Sequence, residues 1–300
     1  MSDNSHPFIA RACVCCGSTR LGRSPAVLMP LVAHRVFGWT PVEIDDSWGL
    51  ETIPSGRAYS LCNSLQCQDC GHLFLDIRFS DDQLAALYHD YFGPEYARLR
   101  DSYEPGYAVK NETFLKVIPY LSDVENFLRD LVPFMPSILD WGGGSGLNTP
   151  FRNANRRHHV LDISKQAPVP GAEIVDPGQV SAGDYDLVVC SNVIEHIPYP
   201  VDLLRQVTTS LGPQTVLYLE LPYERILSES DDDLSAFRRK RHWHEHINFF
   251  SRKSLQTLLR RAGLSTIRSE MVNARPLGTP SYNFMLACRR EQAPNAESPA

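Results

Sequence analysis

Apolar positions in the second half of the chain follow two alternating periods. Leu121, Val124, Phe127, Leu128 and Leu131 recur at helical spacing behind a Ser122-x-x-Glu125 capping pattern, and Pro133 and Pro136 stop that helix. Short apolar runs follow at intervals, at residues 137–140, 159–162, 172–176, 185–190 and 215–220. Runs of this length, bounded by polar or glycine-rich stretches, read as strands. A helix over 251–262 carries Leu255, Leu258 and Leu259 on one face, with Gly263 as its C-cap. Two more strands are expected near 265–271 and 283–289. Strands interleaved with helices predict an α/β architecture, a doubly wound sheet of seven strands.

The first hundred residues lack this rhythm. Ser80-Asp81-Asp82-Gln83 is a capping box, and Leu84, Leu87, Tyr88 and Tyr91 follow it at helical spacing. Tyr88 to Tyr107 is dense in aromatic residues; packing accounts for most of them, and a minority suits a polar organic ligand. The expected organisation is a small module at 1–80, a helical linker or lid at 81–120, the alternating domain at 121–290, and a polar, flexible tail at 291–300.

Composition narrows the class. Hydrophobic residues make up 43% and charged residues 21% of 300, enough apolar material for a sizeable core. Scattered prolines (22) and glycines (18) exclude a coiled coil. No apolar run approaches the roughly 18–20 residues that span a bilayer, and Met1 to Pro7 is polar, so a cytoplasmic protein is expected. Lys and Arg number 29 against 35 Asp and Glu, a net charge of −6. The one basic cluster, Arg238 to Arg241, follows Asp231-Asp232-Asp233 and reads as a solvated segment, which disfavours nucleic acid as a partner.

Six of the eight cysteines fall within the first 70 residues. Cys13-Val14-Cys15-Cys16-Gly17 and Cys67-Gln68-Asp69-Cys70-Gly71 both have the form C-x-x-C-G. The two-residue gap lets both thiolates of a knuckle reach one ion, and the glycine permits the turn beneath it. Cys13, Cys16, Cys67 and Cys70 therefore form a candidate structural zinc site, with a long insertion between the knuckles. A redox pair needs only one copy, and Cys15 and Cys62 are left without a role.

The first strand of the alternating half runs into Asp140-Trp141-Gly142-Gly143-Gly144-Ser145-Gly146, a D-x-G-x-G-x-G loop. Strand, acid and glycine loop make the first turn of a nucleotide-type βα unit, where glycines let the backbone approach a ligand. No Gly-Lys-Ser/Thr follows, which excludes a triphosphate cradle, and the acidic start disfavours a pyrophosphate. Asp162 closes the second strand 22 residues after Asp140, where a carboxylate can accept both hydroxyls of a ribose. A second cluster of chemistry is His242-Trp243-His244-Glu245-His246 before Ile247-Asn248-Phe249-Phe250-Ser251. Zinc is one reading, but His244 and His246 lack an obvious third ligand; an imidazole acting as general base on a substrate hydroxyl is the stronger one. Glu195-His196 lies after the fourth strand, where His196 faces the reacting centre or the pair caps a helix.

Together these residues resemble class I S-adenosylmethionine-dependent methyltransferases, over roughly residues 120–290, on Leu139 to Gly146, Asp162 and Asp186 through His196. The resemblance implies a Rossmann-like fold with S-adenosylmethionine as cofactor. It places the glycine loop (Asp140, Gly142, Gly144, Gly146) against the amino-acid part, Asp162 at the ribose, Asp176 near the adenine amine and Asn192 beside the sulfonium. The 242–251 stretch and the paired knuckles are also similar to zinc-containing sugar methyltransferases of bacterial deoxysugar and surface-polysaccharide pathways. There Tyr-His-Glu-His precedes Phe-Ser; here Trp243 replaces the tyrosine and His244, Glu245, His246, Phe250 and Ser251 match. That likeness implies His246 as base with Glu245 as its orienting partner. The sugar C-methyltransferases carry a further C-terminal domain, so oxygen or nitrogen is the expected acceptor. The expected substrate is a sugar, nucleotide sugar or glycosylated metabolite; an RNA methyltransferase and a non-catalytic cofactor-binding module are the alternatives.

Overall fold

The computed structural model describes residues 7–49, 55–164, 166–229, 233–275 and 280–291. All but the first position of the expected flexible tail lies outside them. In chain order the strands are β1 (Leu21–Leu28), β2 (Val42–Ile44), β3 (Gly56–Ala58), β4 (Leu61–Cys67), β5 (Leu73–Leu75), β6 (Ser137–Trp141), β7 (Arg157–Leu161), β8 (Glu173–Ile174), β9 (Leu187–Ser191), β10 (Val216–Pro222), β11 (His242–Trp243), β12 (Asn248–Phe249), β13 (Leu264–Asn273) and β14 (Tyr282–Arg290). The helices are α1 (Pro30–Phe37), α2 (Asp81–Tyr88), α3 (Pro94–Tyr103), α4 (Tyr107–Phe114), α5 (Leu121–Leu128), α6 (Pro200–Thr208), α7 (Arg225–Ser228) and α8 (Arg252–Arg261).

Seven strands form one mixed sheet in the order β13-β14-β10-β9-β6-β7-β8. The five from β10 to β8 are parallel, and β14 pairs antiparallel with both β10 and β13. This is the Rossmann-like α/β arrangement. Successive side chains on its strands face opposite sides: Ile138, Leu187, Val189, Val216 and Tyr218 pack with Val124, Phe127 and Leu128 of α5. Leu139, Val188, Cys190, Leu217 and Leu219 pack on the other side with Leu204 and Val207 of α6 and Leu255, Leu258 and Leu259 of α8.

Two local expectations are corrected. Among the described residues no helix follows β6 or β7; both connections run as turns. Asn148, Thr149, Pro150, Asn153 and Asn155 in the first, and Ser164, Pro168, Pro170 and Gly171 in the second, are poor helix formers. Nor does Ser122 cap α5, which starts at Leu121 behind Tyr120; Glu125 instead accepts from the Phe151 amide at 2.8 Å. The Ser80–Gln83 capping box does form at the start of α2.

The N-terminal segment builds a second sheet, and it borrows two strands from far along the chain. Its order is β11-β1-β4-β5-β12, so β11 and β12 lie on opposite edges. The four residues between them, His244 to Ile247, connect those edges. A flat five-stranded sheet would separate its edges by roughly 19 Å, about the full reach of so short a link. The link also bends at Glu245, so it falls short of that span and the sheet must curl to bring its edges closer. The apolar cores merge, since Leu28, Leu65, Phe74 and Trp243 belong to the same cluster as Leu139, Leu217 and Leu258. Arg78 pins the junction: 2% exposed, it donates to the carbonyls of Pro198 (2.9 Å) and Leu75 and to Asn248 Oδ1 (3.1 Å).

Candidate active site

The C-terminal ends of β6, β7, β9 and β10 converge where the strand order reverses, between β6 and β9. That is where open α/β sheets bind ligands. Of the glycine loop, only part faces outward. A Cβ on Gly142 would lie 2.5 Å from Val193, and one on Gly146 2.8 Å from His158, so both positions are closed by the protein's own side chains. Gly144 is open, its nearest neighbour being the Gln166 side chain at 3.5 Å, and its φ of +58° suits glycine. Its amide donates to Asp162 Oδ2 at 2.8 Å, while Ser164 N donates to Asp162 Oδ1 at 2.7 Å. The carboxylate that ends β7 is thereby fixed beside the loop.

Asp140 occupies a different place from the one expected. It is 3% exposed, accepts from the Thr149 hydroxyl and lies directly beneath Gly143. Burial pushes its carboxyl up to about 7. Asp140 thus shapes the loop from inside rather than meeting a ligand. Asp176 is exposed just past β8, with its amide donating to Gln179 Oε1 at 2.7 Å. Asn192 is exposed at the end of β9 in a left-handed conformation (φ 54°), held by its amide donating to the Glu220 carbonyl at 2.8 Å.

The second cluster meets the same end of the sheet. His196 Nδ1 lies 3.0 Å from the Glu245 carbonyl and 2.7 Å from the Tyr88 hydroxyl. His196 and His246 stand nearly perpendicular, their rings 4.7 Å apart. Glu245 is not the partner of His246, contrary to the expectation. Its carboxylate accepts from Tyr91 (3.3 Å), Tyr96 (3.1 Å) and Arg100 (3.1 Å). Despite burial, His244 and Arg100 hold Glu245 down at about 2. It therefore ties the aromatic segment over the site. His244 plays a similar part, its Nε2 lying 2.5 Å from Glu104 Oε1.

The carboxylate that reaches His246 is Glu224, Oε1 to Nδ1 at 2.8 Å. Burial alone would lower the His246 pKa, but the Glu224 hydrogen bond and the Glu195 charge outweigh it and raise it. Glu224, Lys240, His244, Glu245, His246 and Phe249 line a cavity of about 220 Å³. Lys240, pushed down to about 8 by burial, sits over the Phe249 ring at 4.3 Å. Sequence reading missed Glu224 and Lys240. Glu224 sits two residues past β10, a strand end like those bearing Asp162 and Asn192, and that was the available signal.

The four knuckle cysteines come together as expected, with Sγ separations of 3.7 Å (Cys13–Cys70) and 3.5 Å (Cys16–Cys67) and all four within 4.8 Å. A tetrahedral ion with bonds of about 2.3 Å requires sulfurs roughly 3.8 Å apart. Gly17 (φ 83°) and Gly71 (φ 77°) supply the left-handed turns beneath the knuckles. Cys15, outside the group, donates to the Ser254 carbonyl at 2.9 Å, and Cys62 is buried in β4. The insertion between the knuckles contains β1 to β3, α1 and most of β4.

A family model described as a methyltransferase domain matches residues 120–269, half of the chain. The chain belongs to the methyltransferase-domain family. No curated protein matches it. Among solved structures it is similar to the Burkholderia thailandensis 1,6-didemethyltoxoflavin-N1-methyltransferase, determined with 1,6-didemethyltoxoflavin and S-adenosylhomocysteine bound. That match has 15% identity and a TM-score of 0.49, covering 75% of this chain and 97% of the other. A SAM-dependent methyltransferase from Methanosarcina mazei matches at 13% identity and a TM-score of 0.40, over 55% and 97% of the two chains. The [4+2]-cyclase SpnF matches at 13% identity and 0.43, over 57% and 81%. No helix among the described residues is long and apolar enough to cross a membrane.

The protein is thus a methyltransferase by its domain, and its open Gly144 and fixed Asp162 suit S-adenosylmethionine. Replacing Gly144 by valine puts a branched side chain in a left-handed backbone position on the open side of the loop. Titration calorimetry is expected to show S-adenosylmethionine affinity reduced at least about tenfold, or ~1.4 kcal/mol, in a protein that still melts cooperatively. Unchanged affinity would remove the loop from the binding site.

Proposed function

We propose that this methyltransferase methylates a hydroxyl (or amine) of a sugar, nucleotide sugar or glycosylated metabolite, with His246 as general base. The observation that carries this reading is the His246–Glu224 pair at the wall of the 220 Å³ cavity, beside the ends of β9 and β10. Bound S-adenosylmethionine supplies a methyl group already activated on a sulfonium. The chain's own residues have three tasks. Asp162 accepts ribose hydroxyls, Gly144 admits close approach of the cofactor, and Asp176 and Asn192 flank its adenine and sulfonium ends. Glu224 holds the Nδ1 proton of His246 and so leaves Nε2 to take the proton of the acceptor hydroxyl. Tyr88, Tyr91, Tyr96 and Arg100, through His196 and Glu245, position the 81–120 segment as a lid that excludes water. Polar side chains around a sugar-sized cavity suit an acceptor rich in hydroxyls.

We assign one structural zinc to Cys13, Cys16, Cys67 and Cys70 in the 1–80 module, on the strength of their spacing and sulfur donors. The test is calorimetric titration with S-adenosylmethionine and S-adenosylhomocysteine, with zinc measured on the same sample, followed by assays against nucleotide sugars and glycosylated metabolites. Tight binding and transfer to members of that set would support the proposal. Transfer confined to RNA, abolished by nuclease treatment of an extract, would sink it.

A base must be neutral to act, so kcat/KM is expected to rise as pH increases through the His246 pKa. Glu224, Glu195 and Glu245 surround this ring and favour its cation, while His196 opposes it. Glu224→Gln removes the leading stabiliser of the imidazolium. The acidic limb of the kcat/KM profile should then move to lower pH and the plateau should fall. A limb that stays in place would separate Glu224 from the base.

A further inference from the structure

Glu195 is buried to 2% exposure, and neither of its carboxylate oxygens has a hydrogen-bond partner among the described residues. Leaving a buried carboxylate without a partner is costly. What faces it is a pair of imidazoles. His196 Nε2 is 3.8 Å from Glu195 Oε1, and one donor atom each of Glu195, His196 and His246 lies within 4.8 Å of the other two.

The protonation of the rings follows from their other contacts. A carbonyl oxygen only accepts, so the His196 Nδ1 facing the Glu245 carbonyl carries the proton, and the Tyr88 hydroxyl 2.7 Å away then accepts from that N–H as well. His246 Nδ1 donates to Glu224 in the same way. Both Nε2 atoms are left as lone-pair donors. An imidazole held at one nitrogen by a carbonyl or carboxylate, with the other nitrogen free, is the arrangement metal-ligating histidines take. Two imidazoles and a carboxylate are a donor set that late first-row divalent ions accept, with bonds of about 2.0–2.2 Å. Closing onto such an ion requires the three side chains to move together by roughly an ångström.

We propose that Glu195, His196 and His246 form a second divalent-metal site, separate from the four-cysteine cluster, and that an ion of the Zn²⁺ or Co²⁺ type bound there blocks Nε2 of His246. His244 takes no part, being engaged by Glu104; the loop after β9 supplies both partners of His246, Glu195 and His196. The ion and the acceptor's proton compete for one lone pair, so occupancy holds the enzyme inactive. The inactivation rests on the general-base reading above, whereas metal binding does not.

The experiment uses the full chain with its cysteine cluster filled and titrates it with Co²⁺. Wild type is expected to take one further equivalent, showing ligand-field bands without thiolate charge transfer. Glu195→Gln should weaken that binding at least about tenfold. If this variant fails to melt cooperatively, His246→Gln, whose side chain is partly exposed, takes its place. Bound Co²⁺ should also suppress acylation of His246 by diethyl pyrocarbonate, read by mass spectrometry. No further equivalent in wild type, or equal binding by the variants, would overturn the site. Undiminished acylation of His246 with the ion bound would overturn the block. Neither result depends on the acceptor, so a failure here is distinct from a failure of the base, which His246→Ala turnover reports.

Discussion

His246→Ala is expected to lower kcat by about 10²–10⁴-fold, or ~2.7–5.5 kcal/mol of transition-state stabilisation. Affinity for S-adenosylmethionine should stay within about threefold, because the glycine loop and Asp162 belong to β6 and β7 while His246 lies between β11 and β12. The deleted ring is partly exposed, with 33% of its side-chain surface accessible, so its removal leaves no sealed void. A large fall in kcat with an intact cofactor site is what loss of a proton acceptor produces. Stopped turnover with equally weakened cofactor binding would instead indicate a general collapse of the site. A change in kcat within threefold would remove His246 as base, and Glu224 would then be a surface partner of no catalytic consequence.

Cys67→Ser should abolish zinc binding and unfold the N-terminal sheet. Structural zinc contributes an apparent ~10–16 kcal/mol to small zinc-dependent folds, comparable to or above the ~5–15 kcal/mol that stabilises a whole domain. Cys67 ends β4, the central strand of the five, and Cys70 stands in the turn leading to β5. The effect reaches the active site through topology. His244, Glu245 and His246 sit on the link between the two edge strands of that sheet, so losing the sheet releases all three. Turnover should vanish along with the native fluorescence of the fully buried Trp243, and a strong chelator should reproduce both effects in wild type. Full activity in demonstrably zinc-free protein would remove the zinc assignment.

The two predictions differ in how far the sequence alone could have led to them. Period-two and period-3.6 patterns registered most elements of the seven-stranded sheet to within a few residues, because the central strands β6, β9 and β10 are apolar on both faces and the helices packed on them on one. Capping by Ser80 was legible because the bond is local, spanning three residues. The cysteine cluster was legible for the same reason: each knuckle is a short turn whose glycine marks it, although the partners of one knuckle lie more than fifty residues from the other. The positions of Asp162 and Asn192 just past β7 and β9 were legible for the same reason.

The roles of the acids around His246 could not. Glu245 is its chain neighbour, but the link bends at Glu245 as it crosses the sheet, so its side chain turns to Arg100 and the tyrosines. Glu224, 22 residues earlier, arrives from the end of β10. Asp140 likewise belongs by sequence to the glycine loop, yet the loop folds over it and leaves it bonded to Thr149. Local spacing, set by backbone geometry, determined the strands, the knuckles and the glycine loop. Only the docking of the two sheets, driven by burial of a shared apolar core, decided which carboxylate meets which histidine. Those contacts join residues far apart in the chain, and no local pattern encodes them.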